Sequence, residues 1–144
     1  MLVVENDEKA LISIVFFLKE LIMECERFKL LKKEKELYLY IEQYVYNQFP
    51  KSEKILRDSV MKELYSMIKN TSYISVNRGN IRNKYIKEVK SNVIMLDFYF
   101  SCLLDKEIVV KKRFLKCVDK LLEISKILNS LENNNEEIKT KDVL

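Results

Sequence analysis

The chain has 144 residues, 48% of them apolar and 33% charged, with one Gly, one Pro and no His. That length is one domain with room for an extension, and that apolar fraction excludes a disordered chain. The scarcity of turn residues excludes sheet folds with many reversals, and the absence of His removes His general bases, His metal ligands and Glu-x-x-His di-iron pairs.

In chain order, the sequence predicts five helical segments. The first covers about Asp7 to Leu31, where Leu11, Ile14, Leu18, Leu21, Cys25 and Phe28 recur at steps of three and four. Ile12, Val15, Phe16 and Ile22 widen this stripe beyond one face, so the segment is expected either at the centre of the fold or against another subunit. Leu11 to Met23 is too short to span a bilayer, is interrupted by Lys19 and Glu20, and follows acidic rather than basic residues, so it is read as neither a membrane span nor a signal peptide. Lys29 to Glu36 is polar, and the sequence leaves open whether the chain bends there or continues.

The second segment, about Lys35 to Gln48, carries Leu37, Ile41 and Tyr44 on one face and stops before Pro50. The third, about Ser52 to Asn70, has either Ser52 as its N-cap or Pro50 in its first turn, and Leu56, Val60, Leu64 and Met67 as its stripe. Residues 70–80, with the sole Gly79, are expected as a mobile linker. The fourth segment, about Ile81 to Leu104, repeats Ile86, Val89, Val93, Leu96, Phe100 and Leu103. The fifth, about Val110 to Leu131, repeats Val110, Phe114, Cys117, Leu121, Ile124, Leu128 and Leu131. The short reversal between them predicts antiparallel neighbours. The expected fold class is all-α: an antiparallel up-down four-helix bundle (35–131) with an additional N-terminal helix (1–34) and a polar, disordered tail (132–144).

Charge is uneven. Residues 1–49 carry net −2, 50–90 net +6, 91–131 net +2 and 132–144 net −2. The middle of the chain is where an anionic partner is expected, although Lys-rich helix faces also serve solubility. Lys51, Lys54 and Arg57 sit at the start of the third segment, placed to reach phosphate together with helix-terminal amides. Arg78, Arg82, Lys84, Lys87 and Lys90 face Glu88 alone around the linker. Lys112, Lys116 and Lys120 line one side of the fifth segment. These eleven residues are the candidate nucleic-acid contacts. Tyr38, Tyr40, Tyr44 and Tyr46 are read as packing anchors ahead of base-stacking platforms. Cys25, Cys102 and Cys117 are odd in number and widely spaced, which fits free thiols on apolar faces and a reducing cytosol rather than disulfides or zinc. The paired carboxylates Glu24/Glu26 and Glu136/Glu137 lack an apolar face and a partner. No catalytic residue, cofactor or metal site is assigned.

The run Phe49-Pro50-Lys51-Ser52-Glu53-Lys54 resembles the Phe-Pro-Lys-x-Glu-Arg signature of a small bacterial four-helix-bundle family. That family includes proteins encoded in ribosomal-RNA intervening sequences and Avd, the accessory variability determinant of diversity-generating retroelements. The hydrophobic run Val93 to Leu104 with Phe114 beyond the turn is similar to the family pattern. So is Leu122-Glu123-Ile124-Ser125-Lys126-Ile127-Leu128, beside Leu-x-Glu-Ile-Gly-Arg-x-Leu. The likeness covers Tyr38 to Leu131 and favours Avd-like members. It implies a homopentamer with a positive surface, without enzymatic activity, that binds the retroelement reverse transcriptase and its template RNA in support of mutagenic cDNA synthesis. The chain departs from the pattern at Asp97 and Ser101, where basic residues are expected, and at Ser59, Ser125, Asn129 and Ser130. The alternative is a structural or protein-interaction bundle of the intervening-sequence type. A minimal helical nuclease would need an Arg-x-x-x-x-His motif, which a His-free chain lacks.

Overall fold

The apolar steps of three and four become helices in the computed structural model, which describes the backbone of residues 2–143 and the side chains of 7–18 and 29–134. The protein is all-α. Among the described residues there are four α-helices, α1 (Leu2–Tyr44), α2 (Lys54–Val76), α3 (Gly79–Asp105) and α4 (Lys111–Val143), with two single-turn 3-10 helices at Tyr46–Gln48 and Lys51–Glu53. The expected additional N-terminal helix is not a separate element. Its segment and the next form one helix, because Lys32 to Glu36 are good helix formers with no Gly or Pro among them, and Lys33 pairs with Glu36 at 3.4 Å.

The linker expected at 70–80 shrinks to Asn77 and Arg78. The Ser72 and Ser75 hydroxyls donate back to the carbonyls of Lys69 and Ser72, both at 2.6 Å, and α2 continues to Val76. Asn77 Nδ2 donates to the Tyr73 carbonyl at 2.9 Å and closes the helix end. Gly79 then takes a left-handed φ of 64° at the entry to α3. At the other end of the chain, α4 passes the expected limit at 131 and continues to Val143.

The reversal after α3 is a Schellman motif. Glu107 N–H donates to Leu104 O at 3.0 Å and Ile108 N–H to Leu103 O at 2.9 Å, and Ile108 is buried with Leu103. Glu107 occupies the left-handed position, at φ 57°, that glycine normally takes.

Each helix packs on two others: α2 on α1 and α3, and α4 on α3 and α1. The core joins Leu30, Leu37, Ile41 and Val45 of α1 to Val60, Leu64, Met67 and Ile74 of α2. Ile86, Val89, Leu96, Phe100 and Leu103 of α3 and Cys117, Leu121, Ile124, Leu128 and Leu131 of α4 complete it. Burial holds the Cys117 thiol up at about 12, so it stays neutral. The expected stripe residues Tyr44 and Val110 are exposed, and Val45 is buried in place of Tyr44.

Polar residues occupy seam positions. On α1, Glu34 falls between Leu30 and Leu37 at steps of four and three. On α2, Thr71 falls between Met67 and Ile74 at the same steps. Both are buried, and the Thr71 hydroxyl donates to Glu34 Oε2 at 2.7 Å. Glu34 Oε1 is buried without a partner among the described residues. Desolvation pushes the Glu34 carboxyl up to about 8, opposed by the Thr71 bond. Next to Thr71, Asn70 donates to buried Asn92 of α3 at 2.9 Å, and Asn92 donates to Glu63 at 2.9 Å and Ser66 at 3.2 Å.

Below about pH 4.5 Glu34 carries its proton in both folded and unfolded chains. Between 4.5 and about 8 the unfolded chain ionises while the fold retains the proton, so stability falls as pH rises and levels off above 8. Glu34→Gln should remove this slope, which is worth on the order of 4 kcal/mol across the window, as read from urea midpoints at pH 5, 7 and 9. Glu107→Gly should raise the unfolding free energy by about 0.5–1 kcal/mol in the same assay, by relieving the left-handed backbone.

Candidate nucleic-acid interface

The α1–α2 corner is built by the Phe49-Pro50-Lys51 run. Phe49 is half-buried against the core, Pro50 is extended (φ −68°, ψ 159°), and Lys51 and Lys54 point to solvent. The N-cap of α2 is Glu53 rather than Ser52, and no side chain caps it. Glu53 instead accepts from Lys106 Nζ at 2.8 Å, which ties the corner to the α3–α4 turn. Arg57 is half-buried, with its guanidinium 4.8 Å from the Tyr46 ring centre and its Nε 3.3 Å from Asp58.

A second tie joins the same end. Arg113 Nη1 donates to the Tyr44 carbonyl at 2.8 Å, and its guanidinium stands 5.7 Å from the Tyr44 ring centre. The structure therefore gathers Lys51, Lys54 and Arg57 at one end with Lys112, and adds Lys106, Lys111 and Arg113, which the sequence did not nominate. Their signal was only that they flank the turn opposite the corner. Along α4, Lys112 and Lys116 are exposed, while Lys120 is half-buried with its ammonium 5.6 Å from the Tyr40 ring centre.

The remaining candidates lie at the other end of α2. That helix has 23 residues, so about 35 Å separates the two groups. Arg78 is exposed at the N-cap of α3. Arg82 is half-buried and lies four and seven residues before the core residues Ile86 and Val89. Lys84 and Lys87 are exposed on the outer side, with Lys84 5.7 Å from the Tyr85 ring centre. Tyr85 in turn stacks on Tyr73 of α2 at 4.7 Å. Lys90 is ion-paired with Glu132 of α4. The 50–90 stretch is thus two surfaces rather than one. Seven of the eleven candidates (Lys51, Lys54, Arg78, Lys84, Lys87, Lys112 and Lys116) are exposed, and none of the seven forms an ion pair among the described residues.

The tyrosines divide between two helix pairs. Tyr40 and Tyr44 stack on each other at 4.9 Å under Lys120 and Arg113 of α4. Tyr38, Tyr46 and Tyr65 line an open groove of about 490 Å³ between α1 and α2 with Glu42, Asp58 and Lys62. The Tyr38 hydroxyl, 3.3 Å from that of Tyr65 and beside Glu42, is pushed further toward its neutral form by both. The two carboxylates in this groove repel phosphate, so the tyrosines read as packing anchors.

Cys25 and the pairs Glu24/Glu26 and Glu136/Glu137 lie outside the described side chains. Among the described residues, no helix is long and apolar enough to cross a membrane, and no group of three or more His, Cys, Asp or Glu is placed to hold a metal. Comparison with protein-family models, curated proteins and solved structures finds no match to this chain.

The tie between corner and turn has an energetic signature. Arg113→Ala should lower the unfolding free energy by about 1 kcal/mol, because its bond to Tyr44 disappears. Lys112→Ala, one residue away and exposed, should change it by less than about 0.5 kcal/mol in the same urea titration.

Proposed function

We propose that the chain is an antiparallel up-down four-helix bundle that serves as a non-enzymatic accessory protein of a diversity-generating retroelement. In this role it holds the reverse transcriptase and the template RNA in the cytoplasm through a basic surface, and the resemblance adds a homopentameric assembly. The observation that carries the RNA reading is the set of seven exposed cations without acidic partners among the described residues. Such side chains bind phosphate by releasing counterions, with no ion pair among the described residues to break first.

The bundle arrangement is supported by pairs whose numbers rise on one helix as they fall on the next. Glu34 meets Thr71 and Tyr46 meets Arg57, Asn70 meets Asn92 and Tyr73 meets Tyr85, and Lys33 meets Glu123 and Tyr44 meets Arg113. The resemblance is supported by the division of labour in its signature: Phe49 packs against the core while Lys51 faces water.

A second reading, a protein-interaction bundle without a nucleic-acid role, is favoured by one observation: the apolar side chains of residues 11–18 are all exposed. Filter binding of structured RNA across a salt series separates the two. The proposed function requires affinity that falls steeply with salt. The triple variant Lys51→Ala/Lys54→Ala/Lys112→Ala should reduce the slope of log K against log salt by about 2–3, roughly one for each phosphate no longer neutralised. A flat salt dependence favours the interaction bundle.

A further inference from the structure

The core stripe of α4 has a second stripe beside it. Phe114, Cys117, Leu121 and Ile124 pack in or against the core, and the residue after each of them, Leu115, Val118, Leu122 and Ser125, repeats the steps of three, four and three. A shift of one residue turns a helix by about 100°, which carries this second stripe out toward solvent. On α3, Ile94 and Phe98 lie one turn apart with Asp97 between them. Ile94, Asp97, Val118, Leu122 and Ser125 are among the residues lining a groove of about 280 Å³ between the two helices, and Phe98 and Leu115 are each nearer the α3–α4 turn.

Ile94, Phe98, Leu115 and Leu122 are 47–68% exposed. Together they leave roughly 450 Å² of apolar side chain on this face, the size of the largest patch an ordinary monomer shows. The outer positions of α2 instead hold Asp58, Lys62, Tyr65 and Lys69, so the patch is a property of α3 and α4 and not of every outer helix face. One charge sits within it. Asp97 is exposed and makes no ion pair among the described residues. Two apolar ridges with a single acid between them are complementary to an amphipathic helix that carries one cation among its apolar anchors.

We infer that the α3–α4 face docks a helix of another protein, about three turns long, whose apolar stripe holds a lysine or arginine opposite Asp97. The length follows from the second stripe, since Leu115 to Ser125 spans ten residues, or about 15 Å. The charge selects the occupant. Residues 11–18 of a second copy are apolar but contain no cation, and would leave Asp97 unpaired. A helix that covers the patch and buries as much surface of its own brings the total to about 900 Å², the scale of a weak and reversible contact. None of the seven exposed cations proposed to hold RNA lines this groove, so the contact stands or falls apart from the RNA reading.

Fluorescence anisotropy with two labelled peptides and the full chain tests it. Both peptides are Ala-rich helices with leucines at i, i+4, i+7 and i+11, and they differ only in an arginine or a glutamate at the middle of that stripe. The arginine peptide should bind saturably, roughly five to ten times more tightly than the glutamate peptide. Asp97→Lys should reverse that order. Ile94→Asp and Leu122→Asp, both at exposed positions, should each weaken binding at least about tenfold while helical circular dichroism stays unchanged. Phe98→Ser serves as a further variant should either of them fail to fold. Absence of saturable binding overturns the inference, as does equal affinity for the two peptides or an unchanged order in Asp97→Lys. Light scattering on size-exclusion fractions covers the remaining occupant. An assembly of the wild-type chain that falls to monomer in Ile94→Asp assigns the face to a second copy and overturns the inference as well.

Discussion

The hydrogen bond between Thr71 and Glu34 sets the register on which the rest of the structure depends. Two seams of apolar residues at steps of three and four mesh in more than one register, displaced by a turn, at little cost to hydrophobic burial. Placing a carboxyl in one seam removes that freedom. Its burial is tolerable only where a donor stands opposite, and Thr71 provides it at 2.7 Å. The α1–α2 register so defined also places Tyr46 under Arg57 and Tyr38 beside Tyr65. Asn70, one residue before Thr71, performs a related task toward α3 through Asn92. Successive residues of α2 thus fix its alignment to both neighbours.

Much of the fold was legible in spacing alone. Val60, Leu64 and Met67, Ile86, Val89 and Leu96, and the series from Cys117 to Leu131 are buried where steps of three and four put them. The failures share a cause: hydropathy does not see a bonded polar group as core. Glu34, among the charged residues of 29–36, left open whether the chain bends there, Thr71 made 70–80 look like a loop, and Asn92 is buried while neighbouring Val93 is only half-buried. In each case a tertiary hydrogen bond offsets the cost of burying the polar side chain. Residues 11–18 were expected either at the centre of the fold or against another subunit, and their exposed side chains exclude the central position within this chain.

The candidate site was legible as residues but not as a surface. Net charge along the sequence marked 50–90 as a single basic stretch, yet a helix running the length of the molecule sends its two ends to opposite poles. Which cations stay available depends on partners distant in sequence: Glu132 takes Lys90, while Lys120 and Arg113 lie over tyrosines of α1. Spacing within one segment carries no information of that kind. The same three-dimensional closure adds Lys106, Lys111 and Arg113 to the corner end, because Glu53 and the Tyr44 carbonyl hold the second turn beside the first.

The order of packing has a kinetic meaning. Most of the helix pairings join elements adjacent along the chain, and two of them are linked by a few residues at Asn77–Arg78 and around Glu107. Pairings this local cost little loop entropy, so helices assembled in this way fold on microsecond to millisecond timescales. The α1–α4 pairing is the exception, since it brings together the first and last helices. The Arg113 link to the Tyr44 carbonyl spans 69 residues and stands at the closing end of that seam. A chain that has formed its hairpins but not this seam would expose the apolar faces of both end helices, and its stickiness at that moment is governed by how quickly the ring shuts.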